Sequence, residues 1–144
     1  VWVMNAKEYL SQALWLDKKI NSKQEQLETL WAMATKMTTE YIQVKVASGG
    51  VSGGHIEKTI AKIIDLRESI NKDIDKFVDL KIEILETIKH VKDPIDQIIL
   101  EMRYINCKSW DEVAENIGYK RSTVFKTHGK ILKEVDAILN GRLK

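Results

Sequence analysis

The sequence predicts an all-α protein, in which a long antiparallel N-terminal helical hairpin precedes a C-terminal three-helix domain of helix-turn-helix type. Three observations lead there. Only seven glycines and one proline occur in 144 residues, and four of the glycines gather in one short stretch, so long segments carry no helix breaker. Two segments repeat apolar residues in steps of three and four, the spacing of a packed helical seam. The third is punctuated by Pro94, by Ser109-Trp-Asp-Glu112 and by Gly118, which are helix-start and helix-stop signals.

The first helix is expected over residues 5–43. Its seam reads Ala6, Tyr9, Ala13, Leu16, Ile20, Leu27, Leu30, Ala34, Met37, Tyr41 and Val44, broken only by Lys23. Leu14 and Trp31 widen the stripe, as happens when a helix meets more than one neighbour. Ala47-Ser-Gly-Gly-Val-Ser-Gly-Gly54 follows, with too much conformational freedom to remain helical, and reads as a flexible loop. It lacks the strand and the Lys-Ser or Lys-Thr pair of a phosphate-binding loop. The second helix is expected over 56–91, with a seam of Ile56, Ile60, Ile63, Ile70, Ile74, Phe77, Ile84, Ile88 and Val91. Arg67 and Lys81 occupy two of its seam positions, and Ile64, Val78 and Leu85 flank it.

Two helices of similar length joined by a short loop form an antiparallel hairpin, each roughly 50 Å long. A hairpin buries little by itself. Its isoleucine-rich stripe is wide enough to pack against a second copy in a four-helix dimer core; the alternative is a monomer whose C-terminal domain folds back on it. The expected division is therefore 1–92 for an oligomerisation hairpin and 93–144 for the second domain.

Pro94 ends one helix and begins the next. A helix is expected over 95–104 with Ile98, Ile99 and Met102 inward, then a short one over 110–117 opened by the capping box, then a longer one over 121–139. The phrase from Ser109 to Val124 has the requirements of a helix-turn-helix. Val113 and Ile117 are apolar, Ala114 is small, Gly118 allows a positive φ, Tyr119 plugs the gap and Val124 anchors the second helix.

Charge gives the function class. The formal net charge is only +2, but Lys120, Arg121, Lys126, Lys130 and Lys133 lie between residues 119 and 133 with no acidic residue among them. A local basic stripe on a near-neutral protein suits a small DNA-contacting surface. The N-terminal turns of a recognition helix enter the major groove. Arg121 can pair with guanine through two hydrogen bonds, Ser122 is small and permissive, and Lys126 reaches a base or a phosphate. Phe125 either packs on a thymine methyl or faces the protein's own hairpin. Lys120, Thr123 and Lys130 are assigned to phosphates, and the Ser109 backbone N–H is a further phosphate donor.

Residues 93–133 resemble region 4 of bacterial sigma factors, through Met102-Arg-Tyr104, Ser109-Trp-Asp-Glu-Val-Ala-Glu-Asn-Ile-Gly118 and the basic-led helix that follows. The resemblance implies that Arg121, Ser122, Phe125 and Lys126 are the base-facing positions; Phe125 departs from that pattern, where a polar or basic residue is usual. The whole chain is similar to small regulators of Gram-positive phages and prophages, of ArpU- or RinA-like type. That similarity includes Met4-Asn-Ala-Lys-Glu-Tyr-Leu-Ser-Gln-Ala13 and Ile60-Ala-Lys-Ile-Ile-Asp-Leu66. The resemblance implies a regulator of phage late-gene transcription that binds double-stranded DNA in the bacterial cytoplasm, and the hairpin's wide stripe adds the expectation of a homodimer. Two alternatives share the architecture: a DNA-recognition subunit of the phage packaging machinery, and an adaptor whose sigma-like head docks on RNA polymerase.

Other classes are excluded or disfavoured. With 44% apolar and 31% charged residues the chain is neither disordered nor membrane-embedded by composition. No apolar run nears the roughly 20 residues of a membrane span, and no signal peptide is expected. The residues before Met4, Val1 to Val3, read as an upstream extension. Cys107 is the single cysteine, so no intramolecular disulfide forms and no zinc spacing exists. No metal or cofactor is expected, and no catalytic role. His55 and His90 are isolated, His128 is expected on a solvated side with a phosphate contact as the alternative, and Asp73, Asp75, Glu83 and Glu86 fit solvent faces. Trp110 is expected as a core plug between the motif helices.

Overall fold

A computed structural model describes residues 4–48 and 54–142; the side chains of 44–48 are outside that description. The described residues are mainly helical, with no strand among them. The elements are α1 (Ala6–Ser48), α2 (Gly54–Ile88), α3 (Pro94–Leu100), α4 (Trp110–Ile117) and α5 (Arg121–Arg142), with a π-helical turn at Glu101–Ile105 after α3. Of the stretch expected as a glycine loop, Ala47 and Ser48 belong to α1 and Gly54 to α2, and residues 49–53 lie outside the described residues. At 43 residues α1 is longer than its seam suggested, and α2 has 35. Several threonines remain comfortable in α1 because their hydroxyls donate to the carbonyl four residues back, as Thr35 does to Trp31 (2.9 Å) and Thr38 to Ala34 (2.8 Å).

Two compact units divide the chain: Lys18–Asp75, and Val1–Asp17 together with Lys76–Lys144. The boundary expected between residues 92 and 93 falls inside the second of these. Pro94 does break the helix, with Asp93 accepting from Ile95 N–H (2.8 Å) as its cap. But the core runs on past the break. Leu10, Ile84, Ile88, Val91, Ile99, Leu100, Tyr104, Val113, Val124, Ile131 and Val135 form one cluster, each almost wholly shielded from solvent.

Polar contacts tie the same unit. Asp136 accepts from the first α1 amide, Ala6 N–H, at 2.7 Å, and Glu134 accepts from Lys92 N–H at 2.9 Å. Arg142 donates to Thr87 (2.7 Å), whose hydroxyl also meets Tyr9 at 3.0 Å. The start of α1 and the end of α2 are thus part of the C-terminal domain's core rather than of a separate hairpin. Ile98, expected inward, is 42% exposed; the inward pair is Ile99 and Leu100.

Lys18–Asp75 is the hairpin proper, an antiparallel pair. Its register is shown by Lys23, which donates to Ser69 Oγ (2.6 Å) and Asp73 Oδ2 (2.5 Å), and by Thr59, whose hydroxyl meets Met37 Sδ at 3.5 Å. Among the described residues its buried positions are few: Ile20, Ala34, Thr59, Ile63, Ile70 and Asp73. Two seam assignments are corrected here. Ile60 and Ile74 are exposed, and Thr59 and Asp73 sit one position earlier in the seam. Asp73 is buried rather than solvent-facing because Lys23, the one break in the α1 seam, needs its carboxylate.

Candidate nucleic-acid interface

The turn between α4 and α5 is built by local chemistry. Ser109 accepts from Glu112 N–H (3.2 Å) while the Glu112 carboxylate accepts from Ser109 N–H (3.1 Å), so the capping box is complete. That also occupies the Ser109 amide that the sequence offered to a phosphate. Gly118 closes α4 in the left-handed region at φ +79°, where a side chain would be strained. Its N–H and that of Tyr119 both donate to Ala114 carbonyl, at 2.9 and 3.1 Å. Tyr119 is half-exposed rather than a plug; Val113 and Val124, both fully buried, close the gap instead.

This geometry starts α5 at Arg121 and presents its first turns to solvent. Lys120, Arg121, Ser122, Thr123, Phe125, Lys126 and Lys130 are all exposed, and Lys133 with them. Arg121 Nη1 lies 3.2 Å from Asp111 Oδ1, with both side chains largely in water, and its guanidinium stands 5.4 Å from the Phe125 ring. A surface pair of this kind stabilises by only about 0–1 kcal/mol, so Arg121 is held loosely.

Beneath that face lies an aromatic cluster that sequence reasoning only half saw. Trp110 is half-buried and packs edge-on against Phe125 (5.6 Å), His128 (4.5 Å) and Tyr104 (6.5 Å). Phe125 is 43% exposed, so it turns one edge to this cluster and the other to solvent. Together with Lys7 and Leu14 of α1 it lines a cleft of about 140 Å³. Arg103 lies over the Trp110 ring at 4.9 Å and donates to Lys108 carbonyl (2.9 Å), bracing the segment before α4.

His128 is a correction: it is 8% exposed, not solvated. Its Nε2 shares a 2.6 Å hydrogen bond with the Tyr104 hydroxyl. Burial, and then the Lys7 and Arg103 charges, push its pKa down to about 4, so the ring is neutral at physiological pH. Burial likewise pushes Tyr104 up to about 12. The signal for His128 was available: Val124, His128, Ile131 and Val135 step by four, three and four, the core stripe of α5. Trp110 and Arg103 left no comparable periodic trace.

Cys107 sits at φ +55°, and burial raises its pKa, which opposes thiolate chemistry. Among the described residues no group of three His, Cys, Asp or Glu side chains is placed to hold a metal, and no helix is long and apolar enough to cross a membrane.

A family model described as "Protein of unknown function (DUF1492)" matches residues 36–136. The chain belongs to the DUF1492 family. No curated protein and no solved structure matches it. The DUF1492 match runs from the second half of α1 into α5, and so includes the turn and the exposed face described above.

Proposed function

We propose that this DUF1492 protein is a sequence-specific DNA-binding regulator of phage transcription, of ArpU- or RinA-like type. Its α4–α5 pair acts as a helix-turn-helix on double-stranded DNA, and its hairpin pairs two chains. The observation that carries the reading is the first two turns of α5: Arg121, Ser122 and Lys126 stand exposed on one helix start, while Val124 and His128 anchor its other side in the core. A recognition helix needs that combination, because base discrimination requires side chains held from a rigid element.

Arg121 gives up its weak pair with Asp111 for a guanine edge, and Lys120, Thr123, Lys126 and Lys130 take the flanking phosphates. Phe125, braced by Trp110, offers its open edge to a thymine methyl. Cytoplasmic location in a bacterial host follows from the same reading.

Selection of bound sequences from random duplexes tests it, with salt dependence alongside. The unaltered protein should enrich a motif with inverted repeats, and replacing Arg121 and Lys126 together by alanine should abolish its discrimination. Undiminished specific binding by that variant would refute the role given to α5.

A further inference from the structure

The hairpin unit carries a face, mixed in character and set with four large apolar side chains, that its own two helices leave open. Along α2, Ile60, Ile64, Arg67, Asn71 and Ile74 recur at helical spacing and are all exposed; along α1, Gln24, Glu28, Trp31 and Thr35 do the same. Each stripe lies about a quarter turn from the buried one, in the same rotational sense along its own chain. Because the helices run antiparallel, equal rotations bring both stripes to one side of the hairpin. The register shown by Lys23 with Ser69 and Asp73, and by Thr59 with Met37, then sets the levels. Gln24 stands level with Asn71, Glu28 with Arg67, Trp31 with Ile64 and Thr35 with Ile60.

This ladder is self-complementary. A two-fold axis parallel to the hairpin's length preserves every level and lays α1 of one copy over α2 of the other. Trp31 then meets Ile64 of the second copy, Thr35 meets Ile60, Gln24 meets Asn71, and the Glu28 carboxylate meets the Arg67 guanidinium. Each contact occurs twice, as an isologous interface requires. Among the described residues of the hairpin few are buried, so its core gains from such a cover, and a tryptophan, isoleucines and an arginine on a face whose other charge is Glu28 have the composition of an interface centre.

We infer that this face, centred on Trp31, Ile64 and the Glu28–Arg67 level, docks a second copy of the chain in a coaxial two-fold four-helix core. The inference rests on the reading that the hairpin pairs two chains, and it specifies the surface and symmetry of that pairing.

Sedimentation equilibrium of the full chain, with helicity followed by circular dichroism, tests it. The unaltered protein should have the mass of two chains. Trp31→Glu should raise the dissociation constant at least about 30-fold with helicity kept. Glu28→Lys and Arg67→Glu should each weaken the dimer, and combining them in one chain should restore it. With Cys107→Ser as background, mixing Trp31→Cys chains with Ile64→Cys chains under oxidation should give a cross-linked pair, and mixing Gln24→Cys with Ile64→Cys chains should not. A single-chain mass for the unaltered protein at micromolar concentration overturns the proposal. So does a dimer that Trp31→Glu leaves intact, or the reverse cross-linking pattern. None of these readouts needs DNA, so a failed assignment of Arg121 and Lys126 leaves them unmoved.

Discussion

Lys18–Asp75 and the unit formed by Val1–Asp17 with Lys76–Lys144 are built from the same two long helices, yet they fill their interiors differently. In the larger unit three further helices close over α1 and α2, and sixteen of the described residues form one buried apolar cluster. In the hairpin the helices have only each other, and a Lys23–Asp73 pair sits where an apolar residue would otherwise pack. An apolar seam thus commits a helix to a partner without saying how much of the helix that partner will cover. Where several elements converge, the stripe vanishes into a core. Where two helices of one chain meet alone, part of it is left for a second copy to cover, and a polar contact helps to specify register.

Core truncation should separate the two interiors most clearly. Leu100→Ala, in the dense unit, should lower unfolding free energy by about 2–5 kcal/mol in chemical denaturation. Leu27→Ala, at a half-buried hairpin position, should lower it by only about 1 kcal/mol. Equal losses would mean that the two interiors do not differ in the way described.

The hairpin's polar contact gives the next largest effect. Asp73→Ala leaves the Lys23 ammonium in the seam without its carboxylate and should be destabilising by about 2–3 kcal/mol. Replacing the pair together, Lys23→Met with Asp73→Leu, should recover that loss while weakening register. The signature would be cross-linking between hairpin positions that are not level in the parent protein. Recovery with an unchanged register would show that the apolar stripes specify it alone.

The smallest effect is read in pH. The folded protein keeps His128 neutral down to about 4, whereas an unfolded chain takes up that proton near the ordinary value of 6.5. Between those values the unfolded state binds more protons. Stability therefore falls as pH drops from about 7 to 4, by about 2 kcal/mol from this group. His128→Gln, which keeps a hydrogen-bonding partner for Tyr104, should flatten that part of the profile. An unchanged slope would remove His128 from the account of the dense core.

Much of this was legible in the residues. The all-α class, the hairpin and the three later helices follow from period and from a few punctuating residues, and their ends were placed best where the chemistry is local. Pro94 after its Asp93 cap, the reciprocal Ser109–Glu112 box and Gly118 with positive φ each act within one helical turn, so sequence alone determined them. The exposed basic start of α5 belongs to the same kind, since a run without acidic residues needs no distant partner to be read.

Tertiary structure decided what depends on residues far apart in the chain. Ile60 and Ile63 look alike in sequence, and only the packing of α1 against α2 put Ile63 inside and Ile60 out. Asp73 is buried because Lys23 is opposite it, and His128 is neutral because Tyr104 and Trp110 enclose it. Phe125 is shared between solvent and the Trp110 ring for the same reason. Periodicity names the candidates for burial, but burial itself is a competition among stripes for limited partner surface, and that competition is settled only in three dimensions.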